Sequence, residues 1–277
     1  MTAASGAGQS ALARWRSSPV LTIPADGDVS AAADLRTRLA QRLARHLRTL
    51  PARLAPVTPL VSFSFDDAPV CACTVGADML DAYGAKGTFY IAGGLIGTRA
   101  LHWQMAQDDH IVALHADGHE IGSHTYSHAF VPDLGAEEII AESRRNAERL
   151  RAIVPGLALQ SFAFPYGFGS VSAKRTLSGL FRTSRSIVPG INSGRTDLQF
   201  LRANPLMDGY IDLAGIVRLM DAACACNGWL IFYGHDIADD PSPYGCSPAL
   251  FEAALRAAVD RGIPCVPVSE GLRRALV

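Results

Sequence analysis

The sequence has few charges, few cysteines and no long apolar run. Charged residues make up only 18% of its 277 positions, yet 49% are hydrophobic, which excludes a disordered or low-complexity chain. Nowhere do about 18 apolar residues follow one another, so a transmembrane helix is excluded. Residues 1–30 include Arg14 and Arg16, but the longest apolar run near them is Val20–Ile23, too short for the core of a secretory signal. The expectation is therefore a cytoplasmic protein. An excess of one sign of charge is also missing: 25 Lys+Arg against 26 Asp+Glu leave a net charge of −1, and no overall basic field invites a nucleic acid. The six cysteines (Cys71, Cys73, Cys224, Cys226, Cys246 and Cys265) form two C-x-C pairs, not the C-x-x-C of zinc ribbons or thioredoxins. They read as reduced, mostly buried thiols. A redox or metal role for Cys71 and Cys73 is the sharper alternative.

The near-neutral total hides an asymmetry. Residues 1–55 carry eight arginines and three aspartates, which leaves the rest of the chain acidic. Within this basic part, Ala31–Leu50 reads as a helix. Leu35, Leu39, Leu43, Leu47 and Leu50 share an arc of about 120°, with Arg38, Arg42, Arg45 and Arg48 on the far side and Arg36 near the leucines. One reading is a helix packed on the main domain with a solvated arginine face. The other is a basic amphipathic helix in peripheral contact with an anionic inner membrane surface. Pro51, Pro56 and Pro59 then interrupt any helix, so residues 1–57 are expected to be an extension and residues 58–277 the main domain.

From residue 60 onward, short apolar runs alternate with helix-like segments. Strands are predicted at Leu60–Phe65, Gly87–Ala92, Glu120–His124, Ser161–Phe164, Arg182–Ile187, Trp229–Tyr233 and Pro264–Val268. Helices are predicted at Gly76–Tyr83, Glu137–Ile153, Tyr210–Cys226 and Pro248–Arg261. Such alternation points to an α/β fold with a mainly parallel sheet, open or closed as a barrel. In these folds chemistry collects at the carboxyl ends of strands. Here those ends carry Asp66-Asp67, His124 and His128, Pro165-Tyr166-Gly167, and His235-Asp236.

Two adjacent carboxylates leaving an apolar strand repel each other unless a cation or proton offsets them. His124 and His128, four residues apart on one turn, can converge on a metal. His119-Glu120 with His124 imitates a zincin, but the second histidine comes one residue late and the segment reads as strand; His115 and His119 are read as structural. His235, closing an apolar strand, suits a proton donor whose ordinary pKa is near neutral. Ile231 and Tyr233 share its face and can wall a small apolar pocket, with Trp229 and Pro165 as further substrate-binding candidates. One aspartate and two histidines leave an open position on a metal, as in a catalytic zinc site. A second aspartate remains to accept a proton and a histidine to return one. The chemistry implied is metal-assisted hydrolysis of an amide or ester.

In this motif order the chain resembles the polysaccharide deacetylases, the NodB-homology group of carbohydrate esterase family four. Ser64-Phe65-Asp66-Asp67 resembles their T-F-D-D motif, His124–His128 their H-[ST]-x-x-H motif, and His235 their closing histidine. The resemblance covers roughly residues 58–271. It implies a distorted (β/α)7-type barrel, here with an N-terminal helical extension. It also implies a divalent metal, usually zinc, on Asp67, His124 and His128; one carboxylate and two imidazoles would equally take cobalt, nickel or manganese. By family role Asp66 is the general base, His235 the general acid, and the Tyr166 N–H an oxyanion donor. The substrate implied is an N-acetylated glycan. Ala163 departs from the family by standing where an arginine usually steadies the base. The F-x-x-P-Y-G form that results resembles the branch acting on N-acetylglucosamine-containing exopolysaccharides and adhesins, or here on a lipid-linked precursor. Arg185 or Arg202 is expected to supply the missing charge. Tyr233 departs too, standing where the family often has leucine. Competing readings are an amidase or deformylase of a small molecule on the same scaffold, and a carbohydrate-binding relative without turnover.

Overall fold

The computed structural model describes residues 35–277; expectations that fall on residues 1–34, including the start of the Ala31–Leu50 helix, lie outside the described residues. In chain order the elements are α1 (Leu35–His46), β1 (Pro51–Leu54), β2 (Leu60–Asp66), α2 (Ala77–Ala82), β3 (Thr88–Ile91), α3 (Asp108–Ala116), β4 (Glu120–Ser123) and α4 (Ala136–Ile153). There follow β5 (Ser161–Ala163), α5 (Val171–Leu177), β6 (Thr183–Arg185), β7 (Gly194–Asp197), β8 (Asn204–Pro205), α6 (Leu213–Cys226), β9 (Trp229–Gly234), α7 (Pro248–Val259) and α8 (Val268–Ala275). Seven parallel strands form one sheet in the order β6-β5-β4-β3-β2-β9-β8. Residues 198–205 link its two edges. Leu198 and Leu201 exchange backbone hydrogen bonds with Ser184 and Ser186, and Asn204–Pro205 then pair with β9. The curled sheet with helices outside is the distorted (β/α)7-type barrel expected.

The central strand β2 shows why the chain adopts this fold. All seven of its residues are buried, as a parallel strand covered on both faces must be. Its period of two sends Val61, Phe63 and Phe65 to the helix layer, where Phe63 stacks on Phe232 and meets Phe251 edge-on. The other parity sends Ser62, Ser64 and Asp66 inward. Ser62 and Ser64 are small enough to leave room there, and their hydroxyls donate to the carbonyls of Val266 and Phe232. Low in the barrel the inner face is apolar: Leu60, Trp229, Ile231 and Leu201 pack on Val268, Leu272 and Ala275 of α8. Gly271 of that helix lies so close to the Trp229 ring that a Cβ would come within 2.6 Å of it. Glycine is required there.

Three expectations need correction. Pro264–Val268 is not a strand. Pro264 and Pro267 lack an N–H for a ladder, so pairing shrinks to one bridge from Cys265 to Val61, and Val268 already opens α8. The division at residues 57/58 is not a boundary, because Leu35–Val277 forms one compact unit in which β1 pairs antiparallel with β7. Finally, α1 does pack on the domain, but through Thr37, Gln41 and Ala44 rather than its leucines. The Gln41 amide donates to Gly167 O (3.1 Å) and accepts from Gly169 N (2.8 Å). At the helix end, buried Lys174 donates to Ala44 O and Leu47 O, both at 2.6 Å, and pairs with Asp197. Polar anchors of this kind are satisfied only by the polar face, and the leucine face is left outward.

Candidate metal centre and active site

The strand registers bring the candidate residues level with one another. β2 lies beside β9 with Phe65 opposite Gly234, so Asp66 and His235 leave neighbouring strands at the same height. β4 lies beside β5, and β5 beside β6 with Ala163 opposite Arg185, which aligns His124 with both. The chain then turns sharply at each exit. Asp67 and Ala68 (φ 63° and 52°), Thr125 and His128 (60° and 55°) and Tyr166 (58°) all adopt the left-handed conformation. Five non-glycine residues in this disfavoured region around one pocket are held there by their surroundings. At the third turn, Gly167 (φ 72°) packs against Ile187 where any Cβ would collide.

Glu142 of α4 is one such holding group. Its Oε2 accepts from the backbone N–H of Tyr126 (2.9 Å) and Ser127 (2.8 Å) and from the Ser127 hydroxyl (3.0 Å), clasping the loop between the two histidines. Asn146, one turn on, ties Gly93 N, Ile91 O and Ser123 Oγ together beneath it. Glu142→Ala is expected to weaken metal binding about 10–100-fold, as loss of outer supports does in other sites, with Tm nearly unchanged. Competition with a chromogenic chelator measures this.

Asp67, His124 and His128 do converge: their donor atoms lie within 4.8 Å of one another. Asp67 Oδ1 is 3.3 Å from His128 Nε2 and 3.7 Å from His124 Nε2, and it is buried without a hydrogen-bond partner. A buried carboxylate oxygen facing two imidazole nitrogens is a ligand set that fits a divalent cation. The His124 Nδ1–H donates to Ala163 O at 2.9 Å, which turns Nε2 toward Asp67. Burial lowers the His124 pKa to about 4, so the ring stays neutral and its Nε2 lone pair is available. The Tyr166 ring leans on His128 at 4.5 Å and shields this side.

Asp66, the other carboxylate, is buried against Arg185, whose guanidinium donates to Oδ1. Burial pushes the Asp66 carboxyl up, but the charge and hydrogen bond of Arg185, joined in acid by His124 and His235 once these are protonated, outweigh it and hold the group below its ordinary 3.8. It is ionised at neutral pH. Of the two arginines expected near Asp66 in place of Ala163, it is Arg185 that pairs with it, while Arg202 turns away to Pro189 O. The Arg185 guanidinium also lies 5.2 Å from the ring centres of both Tyr90 and Tyr233, which clasp it. The unusual Tyr233 thus pairs with an arginine arriving from β6.

His235 is fixed from two sides. Its Nδ1 faces Tyr244 O at 3.2 Å, which makes Nδ1 the donor and leaves Nε2 for chemistry. The Trp103 indole stacks on the ring at 5.1 Å and 9°. Nothing in the sequence around Trp103 or Tyr244 marks them out, because both lie on loops between strands.

Two expectations fail here. Trp229 and Ile231 share strand parity with His235 but not its height: both are fully buried in the lower barrel, and Trp229 Nε1 donates to Ser62 Oγ. Six residues of strand at about 3.3 Å each separate Trp229 from His235. Tyr233 and Pro165 stay at the rim, Pro165 buried in the turn that carries Tyr166. All six cysteines are free and lie outside the triad. The Cys73 thiol is buried, donates to Ala68 O, and has its pKa driven up by burial. His119 is structural: it is buried, and Nδ1 accepts from Gly87 N.

Residues 55–180 match the polysaccharide deacetylase family, a span that holds the triad, Asp66 and the Tyr166 turn but ends before Arg185 and His235. A chitin deacetylase of Arthroderma benhamiae is 30% identical over 124 residues, 45% of this chain and 32% of that protein. A probable peptidoglycan-N-acetylglucosamine deacetylase of the same organism is 31% identical over 130 residues, 46% of this chain and 28% of its own. The chain thus spans about a third or less of the length of these relatives. The solved chitin deacetylase of Colletotrichum lindemuthianum shares the fold, with a TM-score of 0.59 at 21% identity over 79% of this chain and 89% of that one. The matched segment covers a little under half of the chain, and over it the chain is similar to the polysaccharide deacetylases, with the fold shared more widely.

Proposed function

We propose that the domain is a metal-dependent hydrolase that removes acetyl groups from N-acetylated amino sugars. The observation that carries this reading is the ionised, arginine-paired Asp66 standing level with His235 beside the buried Asp67-His124-His128 set. Asp67, His124 and His128 would hold a divalent cation, which would supply Lewis acidity toward the acetyl carbonyl and lower the pKa of water. Asp66 accepts the proton of the attacking water as its oxygen bonds to the carbonyl carbon. The Tyr166 N–H donates to the oxyanion that develops. His235 then gives a proton to the nitrogen as the C–N bond breaks, and acetate and a free amino sugar leave.

The two curated relatives are named for chitin and for a peptidoglycan N-acetylglucosamine substrate, and N-acetylglucosamine units are common to both. The finer reading, an exopolysaccharide or adhesin glycan or its lipid-linked precursor, rests on the F-x-x-P-Y-G form at Phe162–Gly167. Acetate release from N-acetylglucosamine oligomers, with a simple acetamide as control, tests the proposal. Release from the oligomers alone supports it, and release from the acetamide alone points to a small-molecule amidase. A second expectation concerns the metal. His128→Ala keeps two of the three protein donors and should lose its ion on dialysis, with acetate release falling in parallel. Chelation of the wild type should do the same, and added zinc or cobalt should restore it.

A further inference from the structure

The outward face of α1 is the largest apolar feature among the described residues that the active site does not account for. Leu35 is 85% exposed, Leu39 56%, Leu43 44% and Leu47 51%. Every other described helix exposes one large hydrophobic side chain at most. The helix is not loose, since its opposite face is pinned by Gln41 and its end by Lys174. An apolar stripe held rigidly toward solvent needs a partner.

Two properties of the stripe identify that partner. The segment Leu35–Arg48 carries five arginines and no acidic residue. Of these, Arg42 and Arg45 are exposed along one margin of the leucines, and His46 lies among them. The leucines recur strictly every fourth residue, so they sweep through about 120° instead of keeping the straight three-four seam that a second helix would need. A symmetric pairing of two copies would also set arginine against arginine. A broad leucine face bordered by cations matches a surface that is apolar within and anionic at its boundary.

We infer that α1 is a docking helix for an anionic lipid surface, with its leucines in the acyl boundary and its arginines at phosphate level. The inner face of the same helix bonds Gly167 and Gly169, on the turn that carries Tyr166. A docked surface would therefore lie about one helix diameter, roughly 10 Å, from the rim of the catalytic pocket. The inference does not depend on the deacetylase reading.

The test is co-sedimentation of the full chain with phosphatidylcholine vesicles made with and without phosphatidylglycerol. The wild type is expected to pellet only with the anionic vesicles, and less as salt is added. Leu39→Gln/Leu43→Gln should weaken this at least tenfold. Arg42→Gln/Arg45→Gln should weaken it and flatten its salt dependence. Both variants should release acetate from soluble oligomers at the wild-type rate and elute as the wild type does. Failure of the wild type to pellet with anionic vesicles overturns the inference, as does equal binding by the leucine variant. A wild-type dimer that Leu39→Gln/Leu43→Gln dissociates would assign the face to a second copy instead.

Discussion

Asp66→Asn is expected to keep its metal and lose turnover by about a hundred- to ten-thousand-fold, the usual range for removing a positioned general base. The amide has the carboxylate's shape and can still accept the Arg185 hydrogen bond through its oxygen, but it cannot take a proton from water. The Asp67, His124 and His128 donors are untouched, so metal content should stay at the wild-type level while kcat falls. Removing the countercharge leaves the fully buried Arg185 unpaired, so Tm should fall as well, and rates must be compared well below the transition. Paired measurements of kcat and bound metal across Asp66→Asn and His128→Ala separate the base from the ligands. Wild-type turnover in Asp66→Asn would remove Asp66 from the mechanism.

That separation could be drawn from the sequence because the decisive residues sit where a buried strand ends. Strand β2 is apolar or small throughout, so two aspartates at its exit stand out, and the four-residue spacing of His124 and His128 survives intact in the structure. Long periodic helices were equally visible: α4 and α6 are found nearly where their apolar spacing places them. What escaped depends on three-dimensional register. Short α3 and α5 have too few turns to show a period. Trp229 and His235 are indistinguishable by parity, and only barrel depth assigns one to the core and the other to the site. Glu142 looks like any solvent-facing helix glutamate until the 126–127 backbone arrives above it. The leucines of α1 mislead for a related reason, since the polar groups on its opposite face have buried partners waiting in α5 and the 167–169 turn.

Arg185 is the case in which register and chemistry meet, and its replacement should have the largest effect on stability. Arg185→Met keeps most of the side-chain volume between Tyr90 and Tyr233 but leaves the Asp66 carboxylate buried without its cation. Breaking a buried pair from one side costs about 3–5 kcal/mol, and in a domain of this size each kcal/mol lowers Tm by about 2–4 °C. The pH dependence gives a sharper test. In the wild type the Asp66 pKa is held below 3.8, so the pair's stabilisation is fully present above that value and is lost only as pH falls through the lower folded pKa. In Arg185→Met burial acts with its main opponent gone, and the Asp66 pKa should rise above 3.8. The stability deficit should then be greatest at neutral pH and shrink on acidification, as the carboxyl takes up a proton. The acid limb of kcat/KM should shift upward in the same variant, and Arg185→Lys should restore part of that shift. Asp66→Asn/Arg185→Met should be more stable than the two single losses added together, because no buried charge is left without a partner. A merely structural arginine would lower Tm and leave the acid limb in place; a limb that does not move would therefore deny Arg185 its part in setting the proton affinity of the base.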